Sequence, residues 1–391
     1  MAPDSAATSS NSLLDRFASA LQRRKEPGSC LGRILRLVSL AHLAAQLAVL
    51  LGVAGLLLGM SVLGERNLFT AFCLFLPTHI WALPLLVAFP IALLTPRRWI
   101  CVPQLLLAAY LLGPYMGWRM DHPARGPVGG TTHLTVLTNN RGQKGGESMV
   151  DFIRDSNPDL MLFQEAGNRA DNYLRGYPQF SFAKSDAEFT LVSKYPILDS
   201  NSLRLDQDAR GEGGQITANR AVIDVNGRQV AIYNVHMPTP RGALRSLRGP
   251  ALLHGLLDWP GTPWRKNGEA HMSYWRRKER LTKELSAILE KEKLPYLVAG
   301  DFNMPHQGYL HRLFAKTGGG LTDAHANAGK GYGFTLPGST NNPVTLGNPW
   351  LRLDYVFASR HWKVHKCVTE KDRPSQHRAV VAVVALENDN K

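Results

Sequence analysis

Cysteine is scarce in this chain of 391 residues, and its placement excludes whole classes of protein. Only Cys30, Cys73, Cys101 and Cys367 occur. The first three lie in or beside a long apolar region, which leaves Cys367 alone in the polar part. No disulfide framework and no zinc-ligand spacing can be assembled from that set, and Cys367 reads as a buried thiol. Internal repeats are missing too, which removes solenoids and propellers. Charge nearly vanishes between Ile34 and Trp118, whereas the rest of the chain is polar and mixed. Acidic residues are few, 31 against 45 basic ones, for a net charge of +14. That excess does not by itself indicate nucleic acid. Part of it flanks the apolar segments, where Lys and Arg set membrane orientation. Another part lies between Arg241 and Lys283, and a basic surface suits anionic lipid headgroups equally well.

Three apolar stretches fill the charge-poor region, at about 34–63, 68–95 and 99–118, after an N-terminal basic segment (1–32) that carries Arg23-Arg24-Lys25. Each reaches the roughly 20 residues that a bilayer-spanning helix needs. Pro77, Pro84 and Pro90 predict kinks in the second. The first is too long and begins too late for a cleaved signal peptide. Arg16, Arg23, Arg24, Lys25, Arg33 and Arg36 precede or open the first stretch, the link Gly64–Asn67 is balanced in charge, and Arg97-Arg98 is basic. A cytoplasmic N-terminus with three crossings satisfies all three flanks. The expected setting is a bacterial inner membrane with everything after Trp118 on the periplasmic side; two crossings would return it to the cytoplasm.

After a Pro/Gly-rich linker (119–130), residues 131–388 alternate strand-like and helix-like runs. "LTVLTN", "PDLMLFQE", "FTLVSK", "RAVIDV", "QVAIYNVH", "PYLVAGDF", "RLDYVFAS" and "AVVAVVAL" are short and rich in β-branched or apolar residues. Glu147–Asp155 and Trp275–Glu292 read as helices, the second with Leu281, Leu285, Ile288 and Leu289 on one face. "DVNGRQ" carries the Asn-Gly pair of a tight hairpin. Two packed sheets with helices outside are the natural architecture.

Polar residues recur at the ends of these strands. Asn140 follows "LTVLTN", Glu165 ends "PDLMLFQE", Asn234 and His236 end "VAIYNVH", Asp301 and Asn303 end "VAGDFN", Asp354 interrupts "RLDYVF", and His377 precedes the last apolar run. Singly each reads as a turn former or a satisfied core residue. Asp301 and Asn303 are two apart, so an extended chain would point both to one side. Glu165 and Asn140 are hard oxygen ligands suited to Mg²⁺ or Mn²⁺ rather than zinc.

In this order, "TNN" (138–140), "PDLMLFQE" (158–165), "NRAVIDV" (219–225), "NVHMP" (234–238), "GDFN" (300–303), "RLDYVF" (352–357) and "SQHRAVVA" (375–382) resemble the endonuclease/exonuclease/phosphatase superfamily. The resemblance implies an α/β fold, a four-layered sandwich of two central mixed sheets flanked by helices, with the active site at the strand ends. It further implies phosphoester hydrolysis with Mg²⁺ or Mn²⁺ held by Asn140 and Glu165, and catalysis by Asp301, Asn303, His236 and the Asp354–His377 pair. Arg220 and Asn234 match phosphate contacts. The chain departs from the family at Gln376, where an Asp is usual; the change removes a negative charge and bears on a second metal position. A pseudoenzyme that binds a phosphorylated ligand without cleaving it is the alternative. The stretch 241–275 mixes arginines with leucines, Trp259 and Trp264, which fits single-stranded nucleic acid, a membrane interface or a surface loop. The implied substrate is therefore a phosphoester of nucleic acid or of a phospholipid headgroup.

Overall fold

In the computed structural model, residues 30–95, 97–120, 132–142, 148–207, 213–245, 265–371, 373 and 375–387 are described. Much of the stretch 241–275 (residues 246–264), the basic segment up to residue 29 and the linker from residue 121 lie outside them.

Twelve strands form two six-stranded sheets. The first has the order β11 (Trp362–Thr369), β12 (Val380–Leu386), β1 (Thr132–Asn140), β2 (Leu160–Gln164), β4 (Phe189–Ser193) and β3 (Phe182–Asp186). The second runs β5 (Ile197–Gln207), β6 (Gly213–Val225), β7 (Arg228–His236), β8 (Tyr296–Asp301), β10 (Asp354–Ala358) and β9 (Thr322–Asp323). Both sheets are mixed in the same way: a parallel central pair, β1/β2 or β7/β8, is flanked by antiparallel neighbours. The expected α/β sandwich of two mixed sheets is thus present.

The strands read as near-continuous apolar runs because both of their faces are covered. Val136, Leu160 and Leu162 of the first sheet meet Ile223, Ile232, Leu297 and Val356 of the second in one buried cluster. The alternate residues Leu137, Met161 and Phe163 turn the other way and pack with Ile153 of the helix Val150–Ser156. The helix Arg265–Glu290 starts ten residues earlier than its apolar spacing predicts. Its residues Trp275, Leu281, Leu285 and Leu289 are buried, each worth about 1.5–3 kcal/mol of transfer free energy or somewhat more for Trp. Asn226 and Gly227 both take positive φ, 55° and 86°, as a two-residue hairpin turn between β6 and β7 requires. Strands β5 and β11 were not visible in the apolar pattern. β5 (ILDSNSLRLDQ) is a largely exposed edge strand, and β11 (WKVHKCVT) alternates with charges.

The apolar stretches behave unequally. Cys30–Val62 is a 33-residue helix, and among the described residues it alone is long and apolar enough to cross a membrane unbroken. The second stretch is broken at Phe75–Pro77, where Leu68–Leu74 and Thr78–Leu93 meet at a bend of 110°. The third runs from a 3₁₀ turn, Arg98–Ile100, through the helix Cys101–Tyr110 into a π-helical turn, Leu111–Tyr115. Among the described residues one helix, or two if the bent pair counts as a single span, is long and apolar enough to cross a membrane. Proline accounts for the break: Pro77 disfavours helical backbone at residue 76 and supplies no N–H.

The chain divides into two compact units, Met1–Ala54 with Leu83–Leu107, and Gly55–Ala82 with Ala108–Lys391. In the first, Leu43, Leu47, Phe89, Ala92, Ile100 and Cys101 pack together, and the Gln104 amide donates to Gln46 at 2.6 Å. In the second, the link Gly64–Asn67 is part of the sandwich. Glu65 is buried and its Oε2 accepts the backbone N–H of Leu310 at 3.1 Å. The Arg66 guanidinium lies 4.0 Å over the Tyr309 ring.

Candidate active site

The register explains why scattered sequence positions meet. In the first sheet, Asn140 at the end of β1 lies opposite Gln164 at the end of β2, one residue before Glu165. In the second, His236 at the end of β7 is opposite Asp301 at the end of β8, and Asp301 is opposite Asp354 at the start of β10. The carboxyl ends of both parallel pairs therefore open on one edge, where α/β folds place ligands.

Asn140 Nδ2 joins the sheets, donating to Glu165 Oε1 at 3.2 Å and to Asp301 Oδ2 at 3.0 Å. Its Oδ1 accepts the Gly142 N–H at 2.9 Å. His236 Nε2 is 3.8 Å from Asp301 Oδ2 and 4.0 Å from Glu165 Oε1. On the opposite side, His377 Nε2 is 3.7 Å from Asp301 Oδ2, and His377 Nδ1 is 2.9 Å from Asp354 Oδ2. Asn303 lands beside Asp301, but not by strand alternation. The strand ends at Asp301, and Asn303 turns into the left-handed region at φ 51°. There its N–H and Nδ2 donate to the two Asp301 oxygens at 2.9 and 3.0 Å. Glu165 also has positive φ, 51°, a costly backbone state for a glutamate. Gly300 is dictated by close approach: its φ is +146°, and a Cβ would lie 1.9 Å from Val235 O of the parallel neighbour.

The electrostatics follow from burial among carboxylates. Burial pulls the His377 imidazole down, but Asp354 and Asp301 outweigh it and raise it to about 9. Burial raises Asp354 above the usual carboxylate range against the pull of His377. Within the pair the charged imidazole is favoured, because two carboxylates face that ring. His236 is likewise raised, burial being outweighed by the Glu188 hydrogen bond and by Asp301 and Glu165.

Seven expected residues converge in this way: Asn140, Glu165, His236, Asp301, Asn303, Asp354 and His377. Gln376 is exposed and lines the mouth of the same cavity. Two others lie elsewhere. Arg220 Nε donates to Glu292 Oε2 at 2.7 Å, and Tyr233 OH donates to the same oxygen at 2.8 Å. Asn234 sits between the sheets, its Nδ2 donating to Phe163 O at 3.1 Å.

The apolar pattern gave no sign of Glu188, at the tip of the β3–β4 hairpin, whose Oε2 accepts from His236 Nδ1 at 3.0 Å. An acid in a turn reads as solvated, so the sequence carries no signal for it. Lys278 did leave one: a charged residue on the helix face of Trp275, Leu281 and Leu285. It is buried, and Nζ donates to Asn303 O at 2.6 Å and Pro238 O at 3.0 Å, bracing the loop after β8. Burial brings its ammonium down to about 7, opposed by Asp301 and Glu65.

A divalent cation fits this donor set. Asp301, Asp354 and His377 offer ligand atoms within 4.8 Å of one another, Glu165 adds a carboxylate, and the buried Asp354 Oδ1 has no hydrogen-bond partner. The carboxylate oxygens of this set are hard ligands of the kind divalent cations take. The cavity above the cluster measures about 620 Å³, large enough for a small-molecule phosphoester.

No curated protein matches the chain. Among solved structures, an endonuclease/exonuclease/phosphatase from Bacteroides vulgatus is 16% identical, with 66% of this chain and 100% of that one covered and a TM-score of 0.45. The human Nocturnin catalytic domain with bound sulfate anion is 18% identical over 65% and 95%, TM-score 0.43. The mannosyl-6-phosphatase of Bacteroides thetaiotaomicron is 13% identical over 64% and 99%, TM-score 0.43. The model of the Endonuclease/Exonuclease/phosphatase family, whose members are hydrolases of phosphoester bonds, matches residues 138–377, more than half of the chain, and the chain belongs to that family.

Proposed function

We propose that this protein is a membrane-anchored, divalent-metal-dependent phosphoester hydrolase whose catalytic domain spans residues 131–388. The observation that carries the reading is the convergence of Glu165, Asp301, Asp354 and both histidines on one cavity. Asn140 and Glu165 are the proposed metal-holding residues. Asn140 would present its oxygen after a turn of the amide, since Nδ2 now faces the carboxylates. When bound, Mg²⁺ or Mn²⁺ supplies neutralisation of charge on the phosphoryl oxygens.

The side chains supply the rest. Asp301, held by the Asn303 N–H and Nδ2, orients a water and accepts its proton as the water oxygen bonds to phosphorus. The His377 imidazolium, fixed by Asp354 at Nδ1, donates from Nε2 to a phosphoryl oxygen. Asn303 acts on the reaction by steadying Asp301, its second Nδ2 hydrogen being held by Met237 O. His236, protonated beside Glu188, donates a proton to the departing oxygen as its bond to phosphorus breaks. Gln376 leaves this set intact and removes only a charge at the mouth, so the pseudoenzyme reading is the weaker one.

Anchoring rests on the Cys30–Val62 helix. Because Gly64–Asn67 packs within the catalytic unit, the domain lies on the side of the membrane that the C-terminal end of this helix reaches. The basic residues before that helix favour the cytoplasm, which puts the domain outside it, in a bacterial cell the periplasm. A C-terminal reporter active only in the cytoplasm would refute that orientation.

The decisive experiment is an assay of the full-length protein in detergent with Mg²⁺, with Mn²⁺ and with EDTA. The panel holds plasmid DNA, short RNA, phospholipids and an aryl phosphodiester. Asp301→Ala is expected to lower kcat by about 10²–10⁴-fold on whichever substrate is cut. Unchanged turnover in that variant, or full activity in EDTA, would overturn the reading.

A further inference from the structure

The cavity lining has two chemically different parts. Glu165, Asp301, His236 and His377 form one cluster; Phe75, Leu336, Trp350 and Leu351, joined to one another by hydrogen bonds, form another, with Leu244 and Arg241 also in the lining. Phe75 does not belong to the sandwich by sequence. It sits at the break of the second apolar stretch, immediately after the helix Leu68–Leu74. Two hydrogen bonds tie this break to the loop that carries the rest of the apolar cluster. Trp350 Nε1 donates to Phe75 O at 3.2 Å, and His79 Nε2 is 2.7 Å from Val344 O. The Phe75 ring also packs 5.5 Å from that of the buried Trp275, so its position is fixed from both sides. The loop and the helix that flank these contacts carry exposed apolar side chains: Leu346 is 86% exposed, Val344 53% and Phe69 47%. Exposed leucine, valine and phenylalanine are at home in acyl chains rather than in water.

Resting on the proposed phosphoester hydrolysis, we infer that the Phe75–Trp350 cluster of the cavity takes the hydrocarbon part of an amphiphilic phosphoester, a lipid of the surrounding bilayer, while its phosphate meets the Asp301–His377 cluster. Among the described residues, Arg241 is the one arginine or lysine in the cavity lining, whereas a polynucleotide presents charge at intervals along its length. A lipid presents one phosphate joined to apolar chain, which matches the division of the cavity. The break at Phe75–Pro77 brings an apolar wall from the membrane-type hairpin to within one substrate's length of the carboxylates.

The test uses full-length protein in detergent micelles with Mg²⁺. Substrates are dioleoyl and dihexanoyl forms of phosphatidylglycerol and phosphatidylcholine, an aryl phosphodiester and a single-stranded oligonucleotide. The ratio of kcat/KM for long over short chains is expected to exceed one by about tenfold for the preferred headgroup, and to fall by about tenfold in Phe75→Ser. Phe75→Leu, which keeps the wall apolar, is expected to retain it. Should Phe75→Ser not fold, phospholipids brominated on the chain provide the second readout. They are expected to quench wild-type tryptophan emission more than that of Trp350→Phe. Chain-length independence, equal quenching in both proteins, or preference for the oligonucleotide would overturn the inference. Cleavage of the aryl diester without any lipid would overturn it while leaving the hydrolase reading standing. No cleavage of any substrate would overturn both.

Discussion

Replacing Asp354 with Asn tests the electrostatic core of the site, because it keeps the shape and removes one charge. Asp354 Oδ2 is 2.9 Å from His377 Nδ1, and both side chains are buried. The imidazole stands at about 9 instead of 6.5 because carboxylates outweigh burial. At about 1.4 kcal/mol per pH unit, that difference is on the order of 3 kcal/mol of preference for the charged ring in the folded protein. Since the folded-state pKa lies above the unfolded one, this stabilisation is fully present below about pH 6.5 and is lost as pH rises through about 9. In Asp354→Asn the amide oxygen still accepts from Nδ1, so the ring stays in place while its largest charge partner is gone. Burial then pulls the imidazole down, with Asp301 as the main remaining opposition. The assay is an NMR titration of selectively labelled histidine in metal-free full-length protein, beside urea unfolding from about pH 6 to about pH 9.5. The variant is expected to titrate well below the wild type and to lose most of the pH-dependent difference in unfolding free energy. Turnover with metal should fall by about 10²-fold or more, the loss growing towards alkaline pH as the ring deprotonates. A His377 titration still near 9 in the variant, with an unchanged slope of stability against pH, would refute the assignment of the shift to Asp354.

Two further substitutions probe the frame around that pair. Gly300→Ala forces a Cβ to within 1.9 Å of Val235 O at a φ of +146°; we expect a loss of about 3–5 kcal/mol or failure to fold, and an urea midpoint close to the wild type would refute the stated need for glycine. Glu188→Gln removes the carboxylate that accepts from His236 Nδ1. The His236 titration should move down, and the alkaline limb of the pH–rate profile should move to lower pH with it, whereas an unmoved limb would show that His236 is not the group donating the proton.

Several strand ends were legible before any coordinates because the same device repeats. An apolar run buried on both faces has no reason to finish in Asn, Glu, His or Asp unless its end meets something polar. Asn140, Glu165, His236 and Asp301 obey that logic, Asp354 is its counterpart at the start of β10, and strand register then brings them together. Lys278 was legible in principle as a charge on an apolar helix face. Glu188 was not, since a glutamate in a hairpin turn looks the same whether it faces water or a histidine. Arg220 and Asn234 matched a motif, yet their partners are Glu292 and the backbone of β2. Motif position cannot say which way a side chain on a covered strand turns.

By itself the sequence determined the chemistry: which acids, amides and imidazoles are available, in what order, and on strands whose burial forces their ends to one edge. It also determined that an apolar region precedes them. Tertiary structure alone decided how that region is used. Composition makes three similar apolar stretches, but Pro77 breaks the second, the third changes from α-helix to π-helical turn at Leu111, and Glu65 and Phe75 are held by contacts with Leu310, Trp275 and Trp350 hundreds of positions away. Such contacts depend on the packing of distant elements, which local spacing does not encode. They are what bring Phe75 of the apolar region into the lining of the cavity.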